Sequence, residues 1–239
     1  MEDKRLNDLL RWSIENSQNG TAAPADGGVE TAATTTTAAT ASNLTPDVMA
    51  ALMGGPSEAD LMRASMDIIT ADDVTLENKL IAFDNFEQLV ESLDNANNMA
   101  TLGLWTPLLA QLAADRAPEL RAMAAWCVGT AVQNNEKTQE RLLAAGGIPL
   151  LVAMATASSS SGEGAGEGDA GETTPPAVRG KAVYALSSAI RNYQPALDAA
   201  VAELVARGHP ADKVDAADME AVDTIIVPLR QKAKGGASA

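Results

Sequence analysis

The chain has 239 residues, 46% of them hydrophobic but only 3% aromatic, and a formal net charge of −15. That is enough apolar material for one or two domain cores, while the negative charge, with no basic cluster to offset it, argues against nucleic acid as a partner. A single cysteine and a single histidine exclude an intrachain disulfide, leave a zinc site without its usual ligands, and give a Ser-His-acid triad only His209, which stands in a Gly-His-Pro turn with no nucleophile-elbow sequence to serve.

No catalytic residue, metal or cofactor is therefore expected. Cys127, set among Ala and Val, reads as a small core residue, and His209 as a surface loop residue. The opening Met1-Glu-Asp-Lys-Arg5 is not followed by the apolar core of a secretory signal. The longest mostly apolar run, Leu142 to Ala157, is broken by Gly146, Gly147 and Pro149 and is too short for a bilayer. These features predict a soluble, cytoplasmic protein with no membrane contact.

Residues 1–17 carry an amphipathic helix over 4–17, with Leu6, Leu9, Leu10 and Ile14 on one face. Residues 18–44, made largely of Gly, Ala, Thr and Pro, form a flexible linker. A short helix on a long tether either caps the domain that follows or reaches a partner. The domain itself spans 45–234. Thr45 and Pro46 start a helix with Val48, Met49 and Leu52 on its apolar side, and Gly54-Gly-Pro56 ends it. Ser57 caps the next helix, which carries Leu61, Met62, Ala64, Ser65, Ile68 and Ile69. A longer periodic segment runs from Thr75 to Leu93 with Leu76, Leu80, Phe83, Phe86, Leu89, Val90 and Leu93 apolar, and the Asp94–Asn98 run should break it. Five or more helices follow up to residue 207, a last one covers roughly Asp215 to Lys232, and 235–239 form a tail. No β-sheet is expected.

An internal repeat organises this domain. Residues 118–134 return in altered form at 176–192, pairing Pro118 with Pro176, Arg121 with Arg179, Ala124 with Ala182, Trp126 with Tyr184 and Asn134 with Asn192, always 58 positions apart. A second echo, Trp105-Thr-Pro-Leu-Leu109 against Ile148-Pro-Leu-Leu151, sets Pro107 and Pro149 only 42 apart. The difference of 16 matches the low-complexity run 158–173, which reads as an insert in one copy. A period of about 42 lies in the armadillo/HEAT range. The fold class predicted is all-α, an α-α superhelix of armadillo-like repeats with a flexible N-terminal segment.

At 100° per residue the repeated helix divides into two sides. Ala124, Cys127, Val128 and Ala131, with counterparts Ala182, Ala185, Leu186 and Ala189, form a packing side of small residues. Trp126, Thr130 and Gln133, with Asn134 at the edge, form the other, matched by Tyr184, Ser188, Arg191 and Asn192. An aromatic followed four and seven residues later by polar groups makes a poor core stripe and a good recognition surface.

These residues carry a resemblance. Ala124-Ala-Trp126 with Gly129, followed by Gly146-Gly-Ile-Pro-Leu-Leu151, resembles the armadillo repeat, whose third helix lines the concave side of the superhelix. Leu6-Asn-Asp-Leu-Leu-Arg-Trp-Ser-Ile-Glu-Asn-Ser17, Gly54-Gly-Pro-Ser57, Leu93-Asp-Asn-Ala-Asn-Asn98, and Gly129-Thr130 with Gln133-Asn134 are similar to one family in particular. It is the armadillo-type nucleotide exchange factors of the 70-kDa heat-shock chaperone, in their fungal branch. The resemblance implies a monomer whose concave face grips the chaperone's ATPase domain and favours a form that holds ADP poorly, so that ADP and then client leave. It implies partner contacts at Trp126, Thr130, Gln133, Asn134, Tyr184, Ser188, Arg191 and Asn192, with the Arg191 guanidinium forking onto a partner carboxylate. Leu9, Leu10, Trp12 and Ile14 would belong to an accessory N-terminal segment acting on client. The insert 158–173 carries no motif of the family. Thr130 and Ser188 also stand where peptide-gripping armadillo arrays have asparagine, and roughly four repeats make a short groove; both weigh against the rival reading, an adaptor for an extended peptide or another folded partner.

Overall fold

A computed structural model describes residues 56–157 and 174–235, and among these there are ten α-helices and no strand. The expected accessory helix with Leu9, Leu10, Trp12 and Ile14, the linker, the helix beginning at Thr45, the insert and the last residues of the tail lie outside the described residues.

The first helix, α1 (Glu58–Thr70), starts where its sequence says it should. The Ser57 hydroxyl accepts from the Asp60 amide at 3.2 Å and donates to the Asp60 carboxylate at 2.6 Å. The same hydroxyl holds the Asp60 carboxyl below its ordinary value. Thr75 caps α2 (Leu76–Val90) by accepting from the Asn78 amide. The helix that begins at Leu76 ends at Val90, before the expected Leu93, with an extended Ser92 as the break. The Asp94–Asn98 run is not the breaker but is itself part of a short helix, α3 (Leu93–Asn98). The reason is that Asn95 is buried with partners elsewhere, its amide nitrogen donating to Leu89 O at 2.9 Å and to Glu58 Oε2 at 2.7 Å. An asparagine so engaged no longer competes for its own helix's backbone.

The chain continues through α4 (Trp105–Ala110), α5 (Pro118–Val132), α6 (Glu136–Ala144), α7 (Gly147–Thr156), α8 (Pro176–Ile190) and α9 (Gln194–Ala206) to α10 (Met219–Ala233). The last helix begins four residues later than the sequence reading placed it. Asp218 is its N-cap, accepting from the Glu220 and Ala221 amides at 3.0 and 3.1 Å, while Asp215 closes a turn on the Ala217 amide.

Four helices of 15 residues, α2, α5, α8 and α10, start at 76, 118, 176 and 219, which are 42, 58 and 43 positions apart. They pack side by side in that order, α5 between α2 and α8, and α8 between α5 and α10. The described domain is thus an armadillo-like helical repeat with four third helices rather than the two visible as a sequence echo. The second echo is structural as well, since α4 and α7 also start 42 positions apart. The predicted packing side is the buried one: Ala124, Cys127 and Val128 are fully buried, as are Ala182, Ala185, Leu186 and Ala189. Closeness at the α5–α8 seam depends on Gly129, where an added Cβ would lie 2.5 Å from Tyr184 Cε1 and 3.0 Å from the Ala185 Cα.

The paired arginines are core residues. Arg179, 1% exposed, donates to the Thr174 carbonyl and, at 3.2 Å, to the Ala233 carbonyl at the end of α10, where a cation suits the helix dipole. Nearby, Lys232 Nζ donates to the Thr156 carbonyl at 3.0 Å. Cys127 is buried as expected, with its thiol well above its ordinary range because of burial and the nearby Glu87 charge. His209 lies in the turn after α9, half-buried, its amide donating to Leu204 O. Among the described residues no helix is long and apolar enough to cross a membrane.

Candidate partner-binding face

The sides of α2, α5 and α8 that do not enter the core form one continuous face. Its register follows from the repeat. The ninth residue of each helix is Asp84, Trp126 or Tyr184, and the first residue after each helix is Glu91, Gln133 or Arg191. A groove of about 470 Å³ lies between α2, α5 and α8, with Glu87, Glu91, Trp126, Thr130, Gln133, Asn134 and Tyr184 around it. It runs into a smaller hollow bounded by Ser187, Ser188, Arg191 and Arg230 with Gln133, Asn134 and Tyr184 again. Seven of the eight predicted contact residues therefore converge on one surface.

Asn192 is the exception. Its backbone is left-handed (φ 58) and its amide donates to the Ala216 carbonyl at 2.8 Å. Asn134 adopts the same conformation (φ 52). Asparagine is among the few non-glycine residues that tolerate this region, so its recurrence at both helix ends has a backbone cause. At 134 the groove also uses the residue; at 192 it does not.

The side chains are cross-braced. Thr130 Oγ1 donates to Glu87 Oε1 at 2.7 Å, and Glu87 is buried at 6% exposure. Tyr184 donates its hydroxyl to Gln133 Oε1 at 3.4 Å, joining α8 to the end of α5. Lys181 places Nζ 3.5 Å from the centroid of the Trp126 ring, a cation–π contact that fixes the ring plane. Burial pulls the Lys181 ammonium below its ordinary value, and the Glu87 charge opposes that shift. At the far end, Gln139, almost fully buried, donates to the carbonyls of Ser188 and Arg191, both at 2.9 Å, and so pins the end of α8.

Arg191 differs from expectation. Its guanidinium is not held open for a partner but is engaged within the chain, donating to the Asp223 carboxylate, to Ser187 Oγ at 3.0 Å and to Met219 Sδ at 3.2 Å. The side chain still lines the groove, so a partner carboxylate would have to share it with Asp223.

Sequence reasoning missed Glu87, Glu91, Lys181 and Arg230. Only Glu91 had a signal: the 42-residue period carried back one step from α5 places Glu91 on Gln133, as it places Asp84 on Trp126, whereas Glu87 falls on Gly129. The charge order along the face then becomes plain. Carboxylates (Asp84, Glu87, Glu91) stand at the α2 end and guanidinium groups (Arg191, Arg230) at the α8–α10 end, with aromatic rings between them. A surface with this charge order is complementary to one that carries the opposite order.

A family model described as nucleotide exchange factor Fes1 matches residues 6–99. The chain is 58% identical over 235 residues to the Hsp70 nucleotide exchange factor FES1 of Gibberella zeae, covering 97% of this chain and 98% of that protein. It is 49% identical to the Hsp70 nucleotide exchange factor fes-1 of Neurospora crassa, covering 97% and 99%. To the Saccharomyces cerevisiae protein of the same name it is 40% identical over 78% of this chain and 56% of the relative. An identity of that size, sustained over almost the full length of both chains, means that the chain belongs to the Fes1 family of nucleotide exchange factors.

Proposed function

We propose that this protein is a nucleotide exchange factor that binds the ATPase domain of a cytoplasmic 70-kDa heat-shock chaperone as a monomer and speeds ADP release. The observation that carries the proposal is the near full-length identity to proteins named Hsp70 nucleotide exchange factor. The continuous, cross-braced face on α2, α5 and α8 supplies a surface suited to the task. The mechanism is one of binding rather than covalent chemistry. The factor must hold the ADP-poor arrangement of the ATPase domain more tightly than the ADP-bound one, because a ligand shifts an equilibrium only by its differential affinity. Reciprocity then requires that nucleotide weaken the grip of the factor on the chaperone. Trp126, Thr130, Gln133, Asn134, Tyr184, Ser188 and Arg191 are the proposed contacts. Leu9, Leu10, Trp12 and Ile14 are proposed to act on client instead of nucleotide. Against the adaptor reading stands Thr130, where peptide-gripping armadillo arrays carry asparagine: its one hydroxyl proton already goes to Glu87, which leaves it an acceptor only and without the donor of an asparagine amide.

The test is release of labelled ADP from the purified ATPase domain. A stoichiometric amount of this protein should accelerate it, and Trp12→Ala should leave that acceleration intact while slowing client release. Unchanged ADP release with the unmodified protein would refute the function; loss of acceleration in Trp12→Ala would refute the division of labour.

A further inference from the structure

Beyond Trp126 the face continues toward the start of α2 and changes character. Leu76, Leu80 and Ile81 of α2 and Met123 of α5 line an apolar trough, with Trp126 as the wall that it shares with the polar groove. Ile81 is 55% exposed, although Phe83 and Phe86, turned well away from it on the same helix, are fully buried, and Leu76 at the first position of the helix is 41% exposed. Core packing therefore does not account for Ile81. Two carboxylates, Glu77 and Asp84, stand at the rim, and no Lys or Arg is among the described residues lining the trough.

Contiguous apolar surface rimmed by polar groups marks an interaction site, and a methionine wall adapts to what enters. The acidic rim selects among occupants. A second copy of this chain, related by a two-fold axis, would set like rims against each other in a protein that already carries a net charge of −15. A surface with an apolar side chain flanked by Lys or Arg meets both features at once. Continuity through Trp126 makes it part of the same contact as the polar groove.

We propose that the trough is the specificity end of the interface: it takes an apolar side chain of the chaperone's ATPase domain, and Glu77 and Asp84 hold basic residues beside it. This rests on the nucleotide-exchange reading and adds to it the chemistry of the partner surface and its orientation, basic and apolar toward α2, acidic toward α8 and α10.

The experiment is calorimetric titration of the full chain with the purified ATPase domain at two salt concentrations, with ADP release measured in parallel. Ile81→Ser removes exposed apolar surface without opening the core and should weaken binding about tenfold at both salts. The double reversal Glu77→Lys/Asp84→Lys should weaken it about tenfold at low salt and by less at high salt, since rim charges act through screened attraction. Leu150→Ser, on the exposed side of α7, should change neither. If both trough variants bind and exchange like the unmodified protein, the proposal falls while the nucleotide-exchange reading stands. If the unmodified protein neither binds nor accelerates ADP release, both fall. A concentration-dependent dimer that Ile81→Ser abolishes would assign the trough to a second copy and overturn the proposal.

Discussion

Gly129→Ala sets two effects of known sign against each other. Replacing glycine by alanine inside a helix stabilises it by roughly 1 kcal/mol through backbone entropy. The new methyl, however, would stand 2.5 and 2.7 Å from the Tyr184 ring and 3.0 Å from the Ala185 Cα. The ring can swing at the expense of its long hydrogen bond to Gln133, but the Cα moves only if α8 moves with it. Overpacking costs about 1–3 kcal/mol, and a backbone contact that cannot rotate away puts this case in the upper half of that range, so that after the gain of about 1 kcal/mol the net expectation is a loss of about 1–2 kcal/mol. For a chain of this length that corresponds to a Tm lower by about 2–8 °C. Urea unfolding followed by far-ultraviolet circular dichroism measures the loss, and the double variant Gly129→Ala/Tyr184→Ala apportions it. With the ring gone, only the Ala185 contact remains, so the double variant should be more stable than the sum of the two single losses predicts, by about 1 kcal/mol. A Gly129→Ala protein at least as stable as the parent, or a cycle with no coupling, would refute the close-contact argument.

Two further outcomes bear on the face and the core. Arg191→Glu should lose about 1–2 kcal/mol of stability, since it removes a half-exposed ion pair and turns a carboxylate onto Asp223; the exchange Arg191→Asp/Asp223→Arg should recover thermal stability but not ADP release. Recovery of both would mean that Arg191 serves the fold alone. Cys127, buried with its thiol pushed up, should react with a thiol reagent only as fast as the domain opens, so that labelling accelerates with urea in step with unfolding. Labelling of the native protein at the rate of a free thiol would contradict the placement of Cys127 between α5 and α2.

The packing side of the repeat was legible because small residues at fixed spacing leave a direct trace: Ala124, Cys127 and Val128 and their counterparts had to be inside. Ser57 was legible for the same local reason, as a cap that acts within three residues; Thr75 caps α2 in the same way, although in the sequence it reads only as the start of a periodic segment. The first and last third helices were not, because their ninth residues are Asp84 and Val227 in place of an aromatic, and neither opens with proline. Position in the stack changes what such a helix must pack against, so its signature changes while its length is kept. The candidate face was half legible. Which residues line it followed from helix geometry, but what holds them did not. Asp223 stands 32 positions beyond Arg191, Glu87 stands 43 before Thr130, and Lys181 stands 55 after Trp126. Those pairings exist only once neighbouring helices are docked. The Asn95 result has the same origin, with a partner on α1 in place of the local backbone.

The two carbonyls on either side of residues 158–173 are each tied down, Thr156 O by Lys232 and Thr174 O by Arg179, whose guanidinium also reaches Ala233 at the end of α10. The end of α7 and the start of α8 are thus each tied to α10 by side chains, independently of the chain between them. Doubling the length of a chain connection costs only about 0.6 kcal/mol more in closure entropy, so a variant with residues added between 157 and 174 should keep α7, α8 and α10 in place, with its thermal stability little changed.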